Sequence, residues 1–83
     1  MKGTEKQIKW AGDIRARKLA EIAKMLAWAE AEATKQGKDT PAEIASMMAE
    51  YHALETKVAA QDMATWWIDR QDWTAQQLLR EAR

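Results

Sequence analysis

One histidine, His52, and thirteen Asp/Glu side chains make up most of the acid–base repertoire of this 83-residue chain, which has no cysteine. A single His rules out a two-His metal site and leaves a His-based triad without context. Helical phase puts His52 beside an apolar stripe rather than at its centre, as expected of a boundary or surface residue. A hard-cation site needs several converging oxygens, whereas Asp39, Glu43 and Glu50 are scattered and read as a solvated acidic face. No phosphate-binding glycine loop, dinucleotide fingerprint or nucleophile elbow occurs. The chain is therefore expected to bind rather than to catalyse, with no catalytic residue, no cofactor and no metal.

The more specific pattern mixes cations with indoles. Lys6, Trp10, Arg17, Lys24, Trp28 and Lys35 are separated by 4, 7, 7, 4 and 7 residues. On a helix those steps keep all six on one narrow stripe. Trp10 and Trp28 lie five turns apart, about 27 Å at 1.5 Å per residue. Such a stripe can grip a protein partner, or track a phosphate backbone while stacking bases. The duller account makes the Trp residues core edge and pairs the cations with an acidic second helix. A second candidate surface is Trp66-Trp67-Ile68-Asp69-Arg70, followed by Asp72-Trp73. Adjacent helical residues point 100° apart, so Trp66 and Trp67 cannot both face one small core. They either close the end of a bundle or anchor a partner, since Trp is enriched in binding hot spots.

These residues need elements to position them. Thr4-Glu5-Lys6-Gln7 is a capping box, which predicts a helix starting near residue 5. Gly37 is a natural left-handed stop, and Gly12 marks either a weak point or a bend. Ile8, Ala11, Ile14, Leu19, Ile22, Met25, Leu26 and Ala29 fall in one apolar arc at 100° per residue. Arg15 and Lys18 fall inside the same arc, so their stems must run along the core edge unless they form a basic site. Thr40-Pro41-Ala42-Glu43 is a second capping box with Pro at the first helical position. Ile44, Met47, Met48, Tyr51, Leu54 and Val58 then describe one stripe ending near residue 60. The Met47-Met48 pair serves as core filler or as the lining of an adaptable groove. A short connection makes the two helices an antiparallel hairpin. Asp62 and Asp72 are read as caps of two further helices, at about 63–70 and 73–82. The fold class is all-α: a three- to four-helix antiparallel bundle built on a long helical hairpin, one domain over 1–83.

Composition agrees. Ala, Glu, Lys, Gln, Leu and Met dominate and favour helix, and the absence of Phe deprives strands of a favoured residue. A chain this short buries only about 60–65% of its unfolded surface, so its core is thin, and two long apolar stripes then favour a homodimer. No apolar run is long enough for a membrane span, no signal-peptide core is present, and the lack of cysteine fits a cytoplasmic protein. Net charge is zero but uneven: residues 1–38 hold nine Lys/Arg against five Asp/Glu, and residues 39–72 hold two against seven. Internal complementarity is the first reading of that split, and a polyanion partner the second.

Two motifs carry a resemblance. Gly3-Thr4-Glu5-Lys6-Gln7-Ile8-Lys9-Trp10-Ala11, with Asp13-Ile14-Arg15 after it, resembles an N-terminal signature of small helical proteins of phages and mobile elements, roughly G-[ST]-x-K-Q-I-x-W-A-x-x-I-R. Trp66-Trp67-Ile68-Asp69-Arg70 is similar to the W-W-I-D motif near their C-termini, although here Asp69 is followed directly by Arg70. The resemblance implies no settled activity. It implies an accessory protein that attaches to a host or element-encoded protein complex, as anti-CRISPR-like inhibitors of host defence do, with a nucleic-acid-binding accessory role and a self-associating structural module as the alternatives. Physically, the two motifs are expected to form two halves of one aromatic contact. Trp10 then meets Trp66 or Trp67, and Arg15 pairs with Asp69.

Overall fold

Thr4 and Thr40 open the two long helices as their capping boxes require. The computed structural model describes all 83 residues. In it the Thr4 N–H donates to Gln7 Oε1 at 3.0 Å and the Gln7 N–H donates to Thr4 Oγ1 at 3.1 Å. Helix α1 runs Glu5–Gln36 without interruption at Gly12, and Gly37 closes it at φ 65°. Thr40 and Glu43 repeat the reciprocal bonds at 3.0 and 3.2 Å, and α2 runs Pro41–Ala59. The hairpin sets the shape: the molecule is 48 Å long and only 16 by 14 Å across, and α1 alone spans about 48 Å. No helix is long and apolar enough to cross a membrane.

Two short helices close one end of the hairpin. Helix α3 covers Ala64–Asp69 and α4 covers Ala75–Glu81. The break between them falls where the aspartates suggested, but neither aspartate caps a helix. Thr74 caps α4 through a third reciprocal box with Gln77, at 2.8 and 3.2 Å. Helix α3 has no side-chain cap. Its first N–H, on Ala64, donates instead to the Lys2 carbonyl at 2.8 Å, while the Lys2 N–H donates to the Asp62 carbonyl at 2.6 Å. The Asp62 carboxylate lies 3.1 Å from the Met1 ammonium. An extended N-terminal segment thus does for α3 what a capping side chain does elsewhere.

That stitch explains the glycine of the N-terminal motif. Gly3 sits at φ +151°, and a Cβ there would lie 2.8 Å from Ala64 Cβ and 3.1 Å from Gln7 Oε1. Ala64 is fully buried and cannot give way. Gly3→Ala is expected to cost about 1–3 kcal/mol through backbone strain and this clash, or roughly 4–8 °C of Tm per kcal/mol. Gly37→Ala is the control for the clash, because at φ +65° it carries left-handed strain of its own while its added Cβ meets open space. Thermal melts showing Gly3→Ala no worse than Gly37→Ala would refute the stitch.

The core is one cluster drawn from all four helices: Ala11, Ile14, Ile22 and Leu26 of α1, Met48 and Val58 of α2, Ala64 and Trp67 of α3, and Ala75, Leu78 and Leu79 of α4. Met48 is core and Met47 is half-buried. Ile8, expected inward, remains 36% exposed. Helix α2 ends at Ala59, whose carbonyl meets Arg15. The first turns of α1 therefore have no second helix along that flank.

Candidate functional site

The two cations inside the apolar arc are structural. Lys18 is only 6% exposed. Its Nζ donates to the Trp73 carbonyl at 2.8 Å and lies 3.8 Å from Glu21 Oε2. The Arg15 guanidinium donates to the Ala59 carbonyl at 3.0 Å. That carbonyl ends α2, where a cation satisfies an orphan acceptor and the helix dipole together. The expected Arg15–Asp69 pair is therefore absent; Arg15 is used elsewhere and Asp69 is exposed.

The aromatic contact also differs from expectation. Trp66 and Trp67 meet each other edge-on, with centroids 4.9 Å apart and planes at 76°. Trp67 is fully buried and its indole N–H donates to the Gln61 carbonyl at 3.1 Å. It is core and presents nothing to a partner. Trp66 is half-buried under Arg70, whose guanidinium carbon lies 4.4 Å from the Trp66 ring and 5.1 Å from that of Trp73. Arg70 also forks onto Glu81 at 2.7 and 2.8 Å and donates to the Trp66 carbonyl at 3.1 Å. The hydrogen bond from Arg70 holds the Glu81 carboxyl below its usual range, and Glu81 raises Arg70 in return. This rivet between α3 and α4 accounts for the W-W-I-D-R segment: it closes the bundle end.

The stripe on α1 is different. Lys6, Arg17, Lys24 and Lys35 are all exposed. Trp10 is 49% and Trp28 66% exposed. The chain's ion pairs are Met1–Asp62, Lys18–Glu21, His52–Glu55 and Arg70–Glu81. None includes a stripe cation, and none joins α1 to α2. The charge split between the two helices is thus not resolved by internal pairing, because the stripe cations of α1 stay exposed and Arg15 meets a carbonyl of α2 rather than a carboxylate. Trp10 reaches solvent rather than the Trp66–Trp67 pair. Of the eight residues singled out by sequence, six lie on one open face, and Trp66 and Trp67 belong to the bundle end.

Two carboxylates and the histidine have local duties. Glu43 is held below the usual carboxylate range by the Thr40 backbone N–H and hydroxyl, as a capping residue should be. His52 is exposed, with Nδ1 3.0 Å from Glu55 Oε1. Sequence reasoning missed a cleft of about 370 Å³ where α4 ends on the hairpin, floored by Met25, Leu26, Leu54 and Leu79 and edged by Trp28 and Arg80. No pattern along the chain signals it, since it arises from where α4 stops.

Fold and surface together define an all-α helical-hairpin protein with an open cation–indole face. Comparison of the chain with protein-family models, curated proteins and solved structures finds no match.

Proposed function

We propose that this protein is a non-catalytic binding module that engages an acidic protein surface through the exposed face of α1. The observation that supports the reading is the state of the six stripe residues. Four cations have no partner within the chain, and two indoles beside them face solvent. Trp and Arg dominate binding hot spots because they lose large areas from water while keeping a polar handle. Unpaired cations raise the association rate with an acidic partner and fix its orientation. The motif resemblance extends the proposal to an accessory protein of a phage or mobile element, with a host complex, including a defence complex, as its target. That extension is analogy.

A nucleic-acid partner is the second reading. The specific observation behind it is the alternation of two exposed Trp with cations along about 44 Å of one helix, from Lys6 to Lys35. Zero net charge weighs against it, because non-specific binding draws on counterion release over a basic surface.

The test is a pull-down of tagged protein from host lysate with and without nuclease, repeated with Trp28→Ala and Lys24→Glu. Both residues are exposed, so both variants should fold. A partner that survives nuclease and is lost with either variant supports the protein-binding reading. Trp28→Ala is expected to weaken the purified complex by about 2 kcal/mol or more, roughly 30-fold in Kd. Recovery of nucleic acid alone, with affinity falling steeply in salt, would replace it with the second reading.

A further inference from the structure

The face of the hairpin that α4 covers continues beyond α4 with nothing over it. Helix α4 ends at Glu81, where Leu79 shares the cleft with Met25, Leu26 and Ala29 of α1 and with Tyr51 and Leu54 of α2. Helix α3 packs towards the start of α1, where Ala64 meets Gly3. From Ala29 outward α1 runs seven more residues to Gln36, about 10 Å, and α2 returns alongside it. Over that length the structure is two helices thick. Ile44, Met47, Tyr51 and Leu54 are left half-buried on the uncovered side.

Charge divides along the same ledge. The cleft is edged by Arg80 and Arg83, and no carboxylate lines it. Neither arginine takes part in an ion pair; the carboxylate of α4, Glu81, is held by Arg70. The outer part of the hairpin, residues 30–50, is acidic on balance, with Glu30, Glu32, Asp39, Glu43 and Glu50 against Lys35 and Lys38. Asp39 and Glu50 are exposed there without a partner. Glu43 is not available in the same way, because its carboxylate accepts the Thr40 N–H. One face thus holds a basic-edged apolar cleft and, about two helical turns further out, an apolar tip flanked by acid. Patches of opposite sign on one face satisfy each other when two copies pack antiparallel about a two-fold axis, each tip on the other's cleft.

We propose that the cleft at the end of α4 receives the hairpin tip of a second copy of this chain. Ile44 and Met47 of each copy rest on the apolar floor of the other, and Asp39 and Glu50 face its Arg80 and Arg83. The zero net charge leaves no overall repulsion between copies. The dimer extends the two-layer hairpin into a four-helix cross-section along its outer half and covers apolar surface that a thin 83-residue core leaves wet. Lys6, Trp10, Arg17 and Lys24 do not line the cleft, whereas Trp28 edges it, so a dimer displays two copies of the first four stripe residues and borders on Trp28.

Sedimentation equilibrium of the full chain from micromolar to near-millimolar concentration tests this. The expected mass is twice 9.5 kDa, approached as concentration rises. Met47→Asp is expected to return the mass to that of one chain while circular dichroism shows helix retained. Arg80 is exposed at the edge of the cleft, so Arg80→Glu should fold and weaken the dimer at least tenfold. Arg80→Glu with Glu50→Arg in one chain should restore it. That charge-swap pair decides the question even if Met47→Asp fails to fold. Lys24→Glu should leave the mass unchanged, which separates this surface from the one on α1. A single-chain mass at every concentration overturns the proposal. So does a dimer indifferent to Arg80→Glu.

Discussion

Replacing Trp67 with alanine is expected to leave little folded protein at physiological temperature. Trp67 is the largest fully buried side chain of the molecule. Removing a buried Trp costs about 3–5 kcal/mol through lost transfer energy and the cavity left behind. Two further losses add to that here. The Gln61 carbonyl loses the indole N–H that reaches it at 3.1 Å. Trp66 loses the edge-on ring that holds it at 4.9 Å, and Trp66 is one of the two rings between which Arg70 lies. A domain of this length stands near the lower end of the 5–15 kcal/mol range of native stabilities, so the loss takes most of the total. Trp67→Phe keeps much of the ring but leaves the carbonyl without its donor. It should fall between, with about 1–3 kcal/mol assigned to the orphaned acceptor. Urea titrations followed by circular dichroism give the ranking. A Trp67→Ala loss below about 1 kcal/mol would mean that α3 is peripheral to the cooperative unit.

The parts of this fold that could be read in the sequence are those whose signals are local. Thr4 with Gln7, and Thr40 with Glu43, carry the start of each long helix within four residues, and both boxes form. Thr74 with Gln77 has the same form and was equally open to reading, but Asp72 drew the cap two residues too early. The stitch of Lys2 to Asp62 and Ala64 was out of reach, because backbone bonds between residues 60 and 62 positions apart leave no mark in either segment's composition. The same holds for Arg15 and Lys18. Their phase inside the apolar arc is visible at once, whereas the Ala59 and Trp73 carbonyls that receive them lie 44 and 55 residues away. The α1 stripe shows the limit from the other side. Spacing alone places its six residues on one line. Only the path of α2, α3 and α4 decides that this line faces water, and the acidic composition of α2 argued the opposite. The charge of a neighbouring helix says little about pairing until the facing sides of both are known.

Lys18 offers the sharpest separation between what holds the fold and what the α1 surface does. Its ammonium sits at 6% residue exposure on the carbonyl of Trp73, immediately before the Thr74 cap of α4. The bond therefore fixes the link between α3 and α4 to the middle of α1. Lys18→Met keeps the aliphatic stem and removes the donor. It is expected to cost about 1–3 kcal/mol, the penalty for an acceptor deprived of its partner away from water. Lys18→Ala should cost more, because the stem also fills core-edge volume. Glu21→Ala is the deciding contrast. At 3.8 Å and 45% side-chain exposure its ion pair with Lys18 is weak, and its loss should stay within about 0.5 kcal/mol. Thermal melts in the order Lys18→Ala, Lys18→Met, Glu21→Ala, from most to least damaging, identify the carbonyl as the partner that matters. Equal losses for Lys18→Met and Glu21→Ala would transfer that role to the ion pair. Lys18→Met has a second use. It leaves Lys24 and Trp28 untouched on the open face, so below its melting temperature it should capture the same partner as the parent chain. Lys24→Glu should do the reverse, keeping the stability and losing the partner. One helix thus holds its inward cations for the fold and leaves its outward ones free, and these two variants measure the roles independently.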